Sequence, residues 1–224
     1  MTYVVATNNK GKMEEIRAFL LPLQESLIQE SKGSIEGTLP NKFAKVGLDI
    51  KCLSDFNLSL TPAETGSTFE ENAKIKAREV SALLYKHGYN NVAVIADDSG
   101  LCINAFDDKP GVDSAYFLGE NTPYYKRNAT IIKMLKNATD RAAHFKCVMV
   151  CRLPNGSEFI STGEMHGEIA TEVSGTNGFG YDPIFYLKEY NKTVAELSKE
   201  EKNAISHRGI ALYRLMEQIF DIAV

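Results

Sequence analysis

The run VAVIA at residues 92–96 is apolar at every position and stops at Asp97 and Asp98, and no other stretch limits the fold as tightly. A strand that is apolar on both faces must be covered on both, as the central strand of an open sheet between helical layers is. The pattern before it agrees: a short apolar strand at 3–6, a polar loop, then a helix with Met13, Ile16 and Leu20 at helical spacing. Ser67 or Thr68, followed three residues later by Glu70 or Glu71, predicts a capped helix start, and that helix runs to about residue 86. Its apolar stripe is Phe69, Ala73, Ala77, Val80 and Leu84, with Lys76 projecting from the middle.

Further on, residues 122–137 read as a helix, and 144–153 with 157–170 as paired strands around Pro154, Asn155 and Gly156. A glycine loop at 175–182 precedes a short strand, and two helical pieces join near Ser206. Residues 21–63 are irregular and predict long loops with one or two strands. The expected fold is α/β: an elongated mixed β-sheet flanked by helices, with two lobes around a central substrate cleft. A length of 224 residues permits either one elongated domain or two lobes.

A net charge of −4 argues against broad contact with a polyanion, since duplex binding needs a basic surface. A small phosphorylated ligand needs only a few cations focused in one cleft. Cys52, Cys102, Cys147 and Cys151 lack paired CxxC spacing, so neither a disulfide framework nor a zinc site is expected, and Cys147 with Cys151 fit a strand's core face. With no basic, apolar leader at Met1 and no run near about 18 apolar residues, the expectation is a cytoplasmic protein without a membrane partner.

Several residues have the chemistry for phosphate work. The loop Thr7, Asn8, Asn9, Lys10, Gly11, Lys12 leads from a strand into a helix N-terminus, where free N–H groups favour an anion, although an ordinary polar turn has the same composition. Asp97 and Asp98 place charge at the end of a buried strand, which a cation would compensate. Strand alternation sends only one of them into a cleft, and an Asx-type turn is the plainer alternative. Glu64 could add a second oxygen for magnesium, which takes one or two carboxylates and fills the rest with water and phosphate, or it could be a surface residue. Ser99 and Gly100 let a phosphate approach. Phe179 in the loop Gly175 to Asp182 could hold a flat ligand, or its aromatics could be core. Lys202, His207 and Arg208 gather at a helix start with Ser206 as candidate N-cap, and a solvated charged face is the alternative.

Taken together, the blocks TNNKGK (7–12), ETGSTFEENAKIKA (64–77), ADDSGL (96–101), PGVDSA (110–115), GFGYDPIF (178–185) and AEL with EKNAISHRG (195–209) occur in the order found in one family. The sequence resembles the Ham1-like inosine triphosphate pyrophosphatases, also called XTP/dITP diphosphatases, over nearly its whole length. The resemblance implies one domain over 1–224 that hydrolyses ITP, dITP and XTP to the monophosphate and pyrophosphate, with magnesium, as a cytoplasmic homodimer. It implies Asp98 as proton acceptor and magnesium ligand, Glu64 as a further metal carboxylate, and Lys12 and Lys76 as catalytic cations. Thr7, Asn8, Asn9, Lys10, Gly11, Lys12, Ser99, Phe179, Gly180, Tyr181, Asp182, Lys202, His207 and Arg208 would line the nucleotide site. Asn8 stands where the family usually has glycine, and Tyr116 where it often has arginine. Two other classes of reading exist: a purine nucleotide sensor without turnover, and a metal-dependent nuclease, which the acidic balance disfavours.

Overall fold

The structure, a computed structural model, describes residues 1–29 and 49–220. Strand β1 (Thr2–Val5) leads into helix α1 (Lys10–Gln29), and β2 (Asp49–Cys52) follows. Next come α2 (Phe69–Lys86), β3 (Val92–Ile103), the short β4 (Lys109–Pro110) and α3 (Tyr124–Met134). The hairpin β5 (Ala142–Arg152) and β6 (Glu158–Ile169) precedes β7 (Phe185–Leu187), β8 (Lys192–Thr193), α4 (Lys199–Ile205) and α5 (His207–Ile219). Among the described residues the strands form one mixed sheet in the order β2-β1-β3-β5-β6-β7-β8, with β4 paired to β3. The expected α/β class with helices on both faces is what the chain adopts. No helix among the described residues is long and apolar enough to cross a membrane.

Side-chain parity along β3 sets the positions of everything that matters for the site. Ala93 and Ile95 pack with Tyr3, Val5, Ile16, Leu20, Leu212 and Leu215 under α1 and α5. Val94 and Ala96 face the other way, onto Ala73, Ala77, Val80 and Leu84 of α2. Continuing the alternation, Asp97 and Ser99 fall on the α1/α5 side and Asp98 on the α2 side. On the first side the apolar surface resumes at Leu101 and Ile103, which pack with Ile131, Phe145, Tyr181 and Phe185. The polar positions therefore lie between two apolar clusters, and that break is the floor of the cleft. Cys147 and Cys151, on one face of β5, are fully buried in the first cluster, as expected.

Three expectations are corrected. Strand β3 does not end at Asp97 but runs on to Ile103, because β5 pairs with it without interruption from Val94↔Arg152 to Ile103↔Ala143. The turn propensity of Asp-Asp-Ser-Gly gives way to a ladder supplied from far along the chain. What does end is the strand on its other edge: pairing with β1 stops at Val5↔Ile95, and β4 takes up only at Cys102↔Pro110, so the cleft opens on that unpaired edge among the described residues. Second, α1 starts at Lys10, which puts Lys10, Gly11 and Lys12 in its first turn rather than in a loop. Third, α1 reaches Gln29, so the supposed long loop from residue 21 begins as helix; its remainder includes β2 and a 3-10 turn at Leu53–Phe56, and residues 30–48 lie outside the described residues.

Candidate active site

On the α1/α5 side of β3, Asp97 is held by cations. Its Oδ2 lies 3.0 Å from Lys12 Nζ and 3.3 Å from Arg208 Nη2, and its side chain is 1% exposed. Arg208 Nη2 also donates to Ser99 Oγ at 2.8 Å, while Nη1 pairs with Glu15. Glu15 extends the network, its other oxygen standing 2.7 Å from Lys202 Nζ. Lys202 in turn sits 2.6 Å from Asp182 Oδ2, which accepts the Phe179 N–H at 2.8 Å. Burial opposes ionisation of Asp97, but Lys12 and Arg208 outweigh it and hold its carboxyl well below the usual carboxylate range. That side of the strand is a closed lattice of alternating charge with every charge partnered.

On the α2 side, Asp98 Oδ1 accepts from Lys76 Nζ at 2.8 Å, and Oδ2 accepts from Asn72 Nδ2 at 3.2 Å. The Lys76 ammonium also lies 2.6 Å from Glu64 Oε1 and donates to the Asp97 carbonyl at 2.9 Å. Asn72 Oδ1 accepts the Gly66 N–H at 2.8 Å, so one amide fixes both Asp98 and the loop that carries Glu64. The helix cap is Thr68, accepting from Glu71 N, and it is what lets α2 present Asn72 and Lys76 one turn apart. Here burial prevails over Lys76 and the more distant Lys12, with Glu64 adding to it, and the Asp98 carboxyl is pushed up from its ordinary value. Strand alternation does separate the two aspartates, but both border the cleft, Asp97 its larger cavity and Asp98 its smaller.

The cleft has two connected parts. A cavity of about 210 Å³ is walled by Thr7, Asn8, Asn9, Lys12, Glu64 and Lys76, with Tyr116 at the rim. A smaller one of about 90 Å³ is walled by Asp98, Ser99, Phe145, Phe179, His207 and Arg208 among others. Asn9, Lys12, Glu64 and Ala115 line both. At the α1 start Asn9 caps the helix, its Oδ1 accepting Lys12 N–H at 3.1 Å, and Asn9 N–H donates to Thr7 Oγ1 at 3.2 Å. Asn8 Nδ2 donates to Leu60 O at 3.1 Å and Thr61 Oγ1 at 3.0 Å, tying this turn to the segment before Glu64.

In the smaller cavity His207 is buried and stacked on Phe145, centroids 4.9 Å apart and planes 13° off parallel. Burial, with Arg208 beside it, keeps the imidazole neutral by lowering its pKa well below 6.5. Its Nδ1 is buried with no hydrogen-bond partner among the described residues, the kind of atom a polar ligand satisfies. Tyr181 and Asp182 are fastened to protein: the Tyr181 hydroxyl donates to Ser114 O at 2.7 Å, and Gly180 O accepts from Asn128. The Phe179 ring packs so closely on α1 that a β-carbon at Gly11 would stand 2.6 Å from it, and Lys202 Nζ lies 4.7 Å from its centroid. Gly11, Phe179 and Lys202 line a third cavity of about 660 Å³, and Phe179 and Lys202 line the smaller cavity as well. Lys10 is exposed and does not join these walls.

The structure therefore gathers Thr7, Asn8, Asn9, Lys12, Glu64, Lys76, Asp98, Ser99, Phe179, Gly180, Tyr181, Asp182, Lys202, His207 and Arg208 around one space. Lys202, for which a solvated charged face is the plainer reading, and Lys76, which projects from its apolar stripe, are both buried and paired. Two residues were missed. Glu15 sits one helical turn after Lys12 and beside the core residue Ile16, a position where a carboxylate calls for a partner; Asn72 precedes the core residue Ala73 in the same way. Among the described residues no three of His, Cys, Asp and Glu converge as a metal cluster. Two carboxylates converging on one ammonium form a set of hard oxygens that fits magnesium, which needs no more from protein when phosphates and water complete its shell.

Comparison with known proteins matches the sequence profile of the Ham1 family over residues 3–218. The chain is 40% identical over 217 residues to a dITP/XTP pyrophosphatase of Exiguobacterium sibiricum, covering 96% of this chain and 95% of that protein. It is 41% identical over 223 residues to a dITP/XTP pyrophosphatase of Bacillus anthracis, covering 96% and 95%. The solved structure of the Staphylococcus aureus Ham1 protein superimposes with a TM-score of 0.77 at 34% identity, over 100% of both chains.

Proposed function

The chain belongs to the Ham1 family, and on that premise we propose that it hydrolyses the non-standard purine nucleoside triphosphates ITP, dITP and XTP to nucleoside monophosphate and pyrophosphate, using magnesium. The observation that carries this reading is the pair between β3 and α2: a carboxyl raised by burial, Asp98, bonded to an ammonium, Lys76, beside a cleft that Lys12 at the start of α1 also lines.

The triphosphate lies in the larger cavity, against the first turn of α1 and the ammonium groups of Lys12 and Lys76. Water attacks the α-phosphorus in line with the bridging oxygen to the β-phosphorus; the new O–P bond forms as that bridge breaks, and the water's proton passes to Asp98. A raised pKa makes Asp98 a better proton acceptor than Asp97, whose charge Lys12 and Arg208 have already neutralised. Lys76 and Lys12 stabilise the charge that grows on departing pyrophosphate. Glu64 and Asp98 would hold magnesium, which supplies charge neutralisation across the phosphate oxygens when bound. The base enters the smaller cavity beside Phe179 and His207. Arg208 spends donors on Glu15, Asp97 and Ser99, so His207, whose Nδ1 has no hydrogen-bond partner among the described residues, is the side chain left, beside backbone N–H groups, to read a 6-oxo purine. Adenine, with an amino group there, leaves a carbonyl-reading donor unpaired. The family also carries with it a homodimer in the cytoplasm, and light scattering on the purified protein tests the dimer.

Pyrophosphate release from dITP, XTP, dGTP, dATP and a short single-stranded DNA, each with magnesium, tests the assignment. Release from dITP and XTP well above the others is expected. Tight dITP binding with no release would point to a sensor instead, and release of nucleotides from DNA to a nuclease.

A further inference from the structure

The three N–H donors of Lys76 are all spent on protein: Glu64 Oε1 at 2.6 Å, Asp98 Oδ1 at 2.8 Å and the Asp97 carbonyl at 2.9 Å. The side chain is only 9% exposed, yet it lines the larger cavity with Thr7, Asn9 and Lys12. A phosphate in that cavity gains a hydrogen bond from Lys76 only if the ammonium lets go of Glu64, Asp98 or the Asp97 carbonyl. A divalent cation joining Glu64 Oε1 and Asp98 Oδ1 would occupy the place where the ammonium stands. Each arrival is favoured by what the other provides.

We propose that Lys76 is an internal counter-ion that occupies the meeting point of Glu64 and Asp98 until nucleotide phosphate draws its ammonium away, so that the divalent cation binds with the nucleotide and only weakly before it. This rests on the reading of Glu64 and Asp98 as the metal carboxylates. The charge arithmetic supports it: with Lys76 in place, two carboxylates and one ammonium leave a net charge near −1 to attract a dication, against −2 without it. The coupling has a use. An enzyme that admits metal only with a triphosphate keeps Asp98 from being claimed by a cation in the empty site, and ties assembly of the reactive arrangement to the presence of substrate.

The test is Mn²⁺ binding without nucleotide, read by the electron paramagnetic resonance of free Mn²⁺. Wild-type protein should bind weakly. Lys76→Met should bind at least about tenfold more tightly, Lys76→Arg should bind like wild type because the charge returns, and the double variant Lys76→Met with Asp98→Asn should lose the gain. Lys76→Gln gives the same reading should the methionine variant fail to fold. If Lys76→Met binds no more tightly than wild type, or Lys76→Arg binds as tightly as Lys76→Met, while Asp98→Asn still weakens binding, the competition is overturned and the metal assignment stands. If Asp98→Asn changes Mn²⁺ binding in no background, the metal assignment itself fails and the competition with it.

Discussion

Asp97 and Asp98 are consecutive residues of one strand, equally hidden from solvent, and they sit in opposite electrostatic settings. Asp97 faces Lys12, Arg208 and, through Ser99 and Glu15, a lattice that extends to Lys202 and Asp182. Asp98 is bonded to one cation, which it shares with Glu64, and to a neutral amide, with Lys12 acting on it from farther off. Burial raises both carboxyls, and the number of cations decides which stays raised: Asp97 falls and Asp98 does not. The difference teaches that a fold can separate a structural anion from a reactive one by strand alternation alone, since stepping one residue along β3 exchanges one layer of helices for the other.

The largest effect that could break this comparison is on stability. Asp97→Asn leaves Lys12 and Arg208 facing a neutral group in a buried lattice, with an expected cost of about 3–5 kcal/mol, read as a large drop in the urea midpoint. An Asp97→Asn protein as stable as wild type would mean that the lattice is not what Asp97 supports. The pH axis sharpens the same contrast. His207, buried beside Arg208, has a folded pKa lowered well below 6.5, so the unfolded chain binds a proton that the folded chain refuses. Stability is therefore whole above about pH 6.5 and declines as pH falls below it, by up to about 1.4 kcal/mol per pH unit. His207→Gln should flatten that decline between about pH 6.5 and pH 5, measured by unfolding at fixed pH steps; an unchanged slope would place the titrating group elsewhere.

The smallest effect concerns the departure at the α1 turn. Asn8→Gly removes two partly exposed hydrogen bonds to residues 60 and 61, at an expected cost of about 1 kcal/mol or less. Turnover should stay within about twofold, because Asn9 still caps α1 and Lys12 keeps its place. A large loss of turnover would show that Asn8 touches the triphosphate itself.

The sequence announced the layers and the elements around the cleft because hydrophobic periodicity is local: the α2 stripe, the β5–β6 hairpin and the Ser206 cap all stand where residue spacing puts them. The path of β3 through Asp97–Gly100 was not legible, since its ladder with β5 joins residues about fifty apart and overrides a turn-like tetrapeptide. Lys76 stands out from its stripe in the sequence, while Glu15 does not, although both follow the same rule of a charge on a core-facing helical position. Their partners come from distant segments, Glu15 finding Arg208 and Lys202 near the other end of the chain. The motif resemblance supplied the purine substrate, which no residue spacing alone contains.

Single-turnover pyrophosphate release from dITP by Asp98→Asn tests the central claim most directly. The expected result is a fall of about 10²–10⁴-fold with dITP still bound and the unfolding midpoint close to wild type, in contrast to Asp97→Asn. Release at the wild-type rate by Asp98→Asn would contradict the assignment of the two carboxylates.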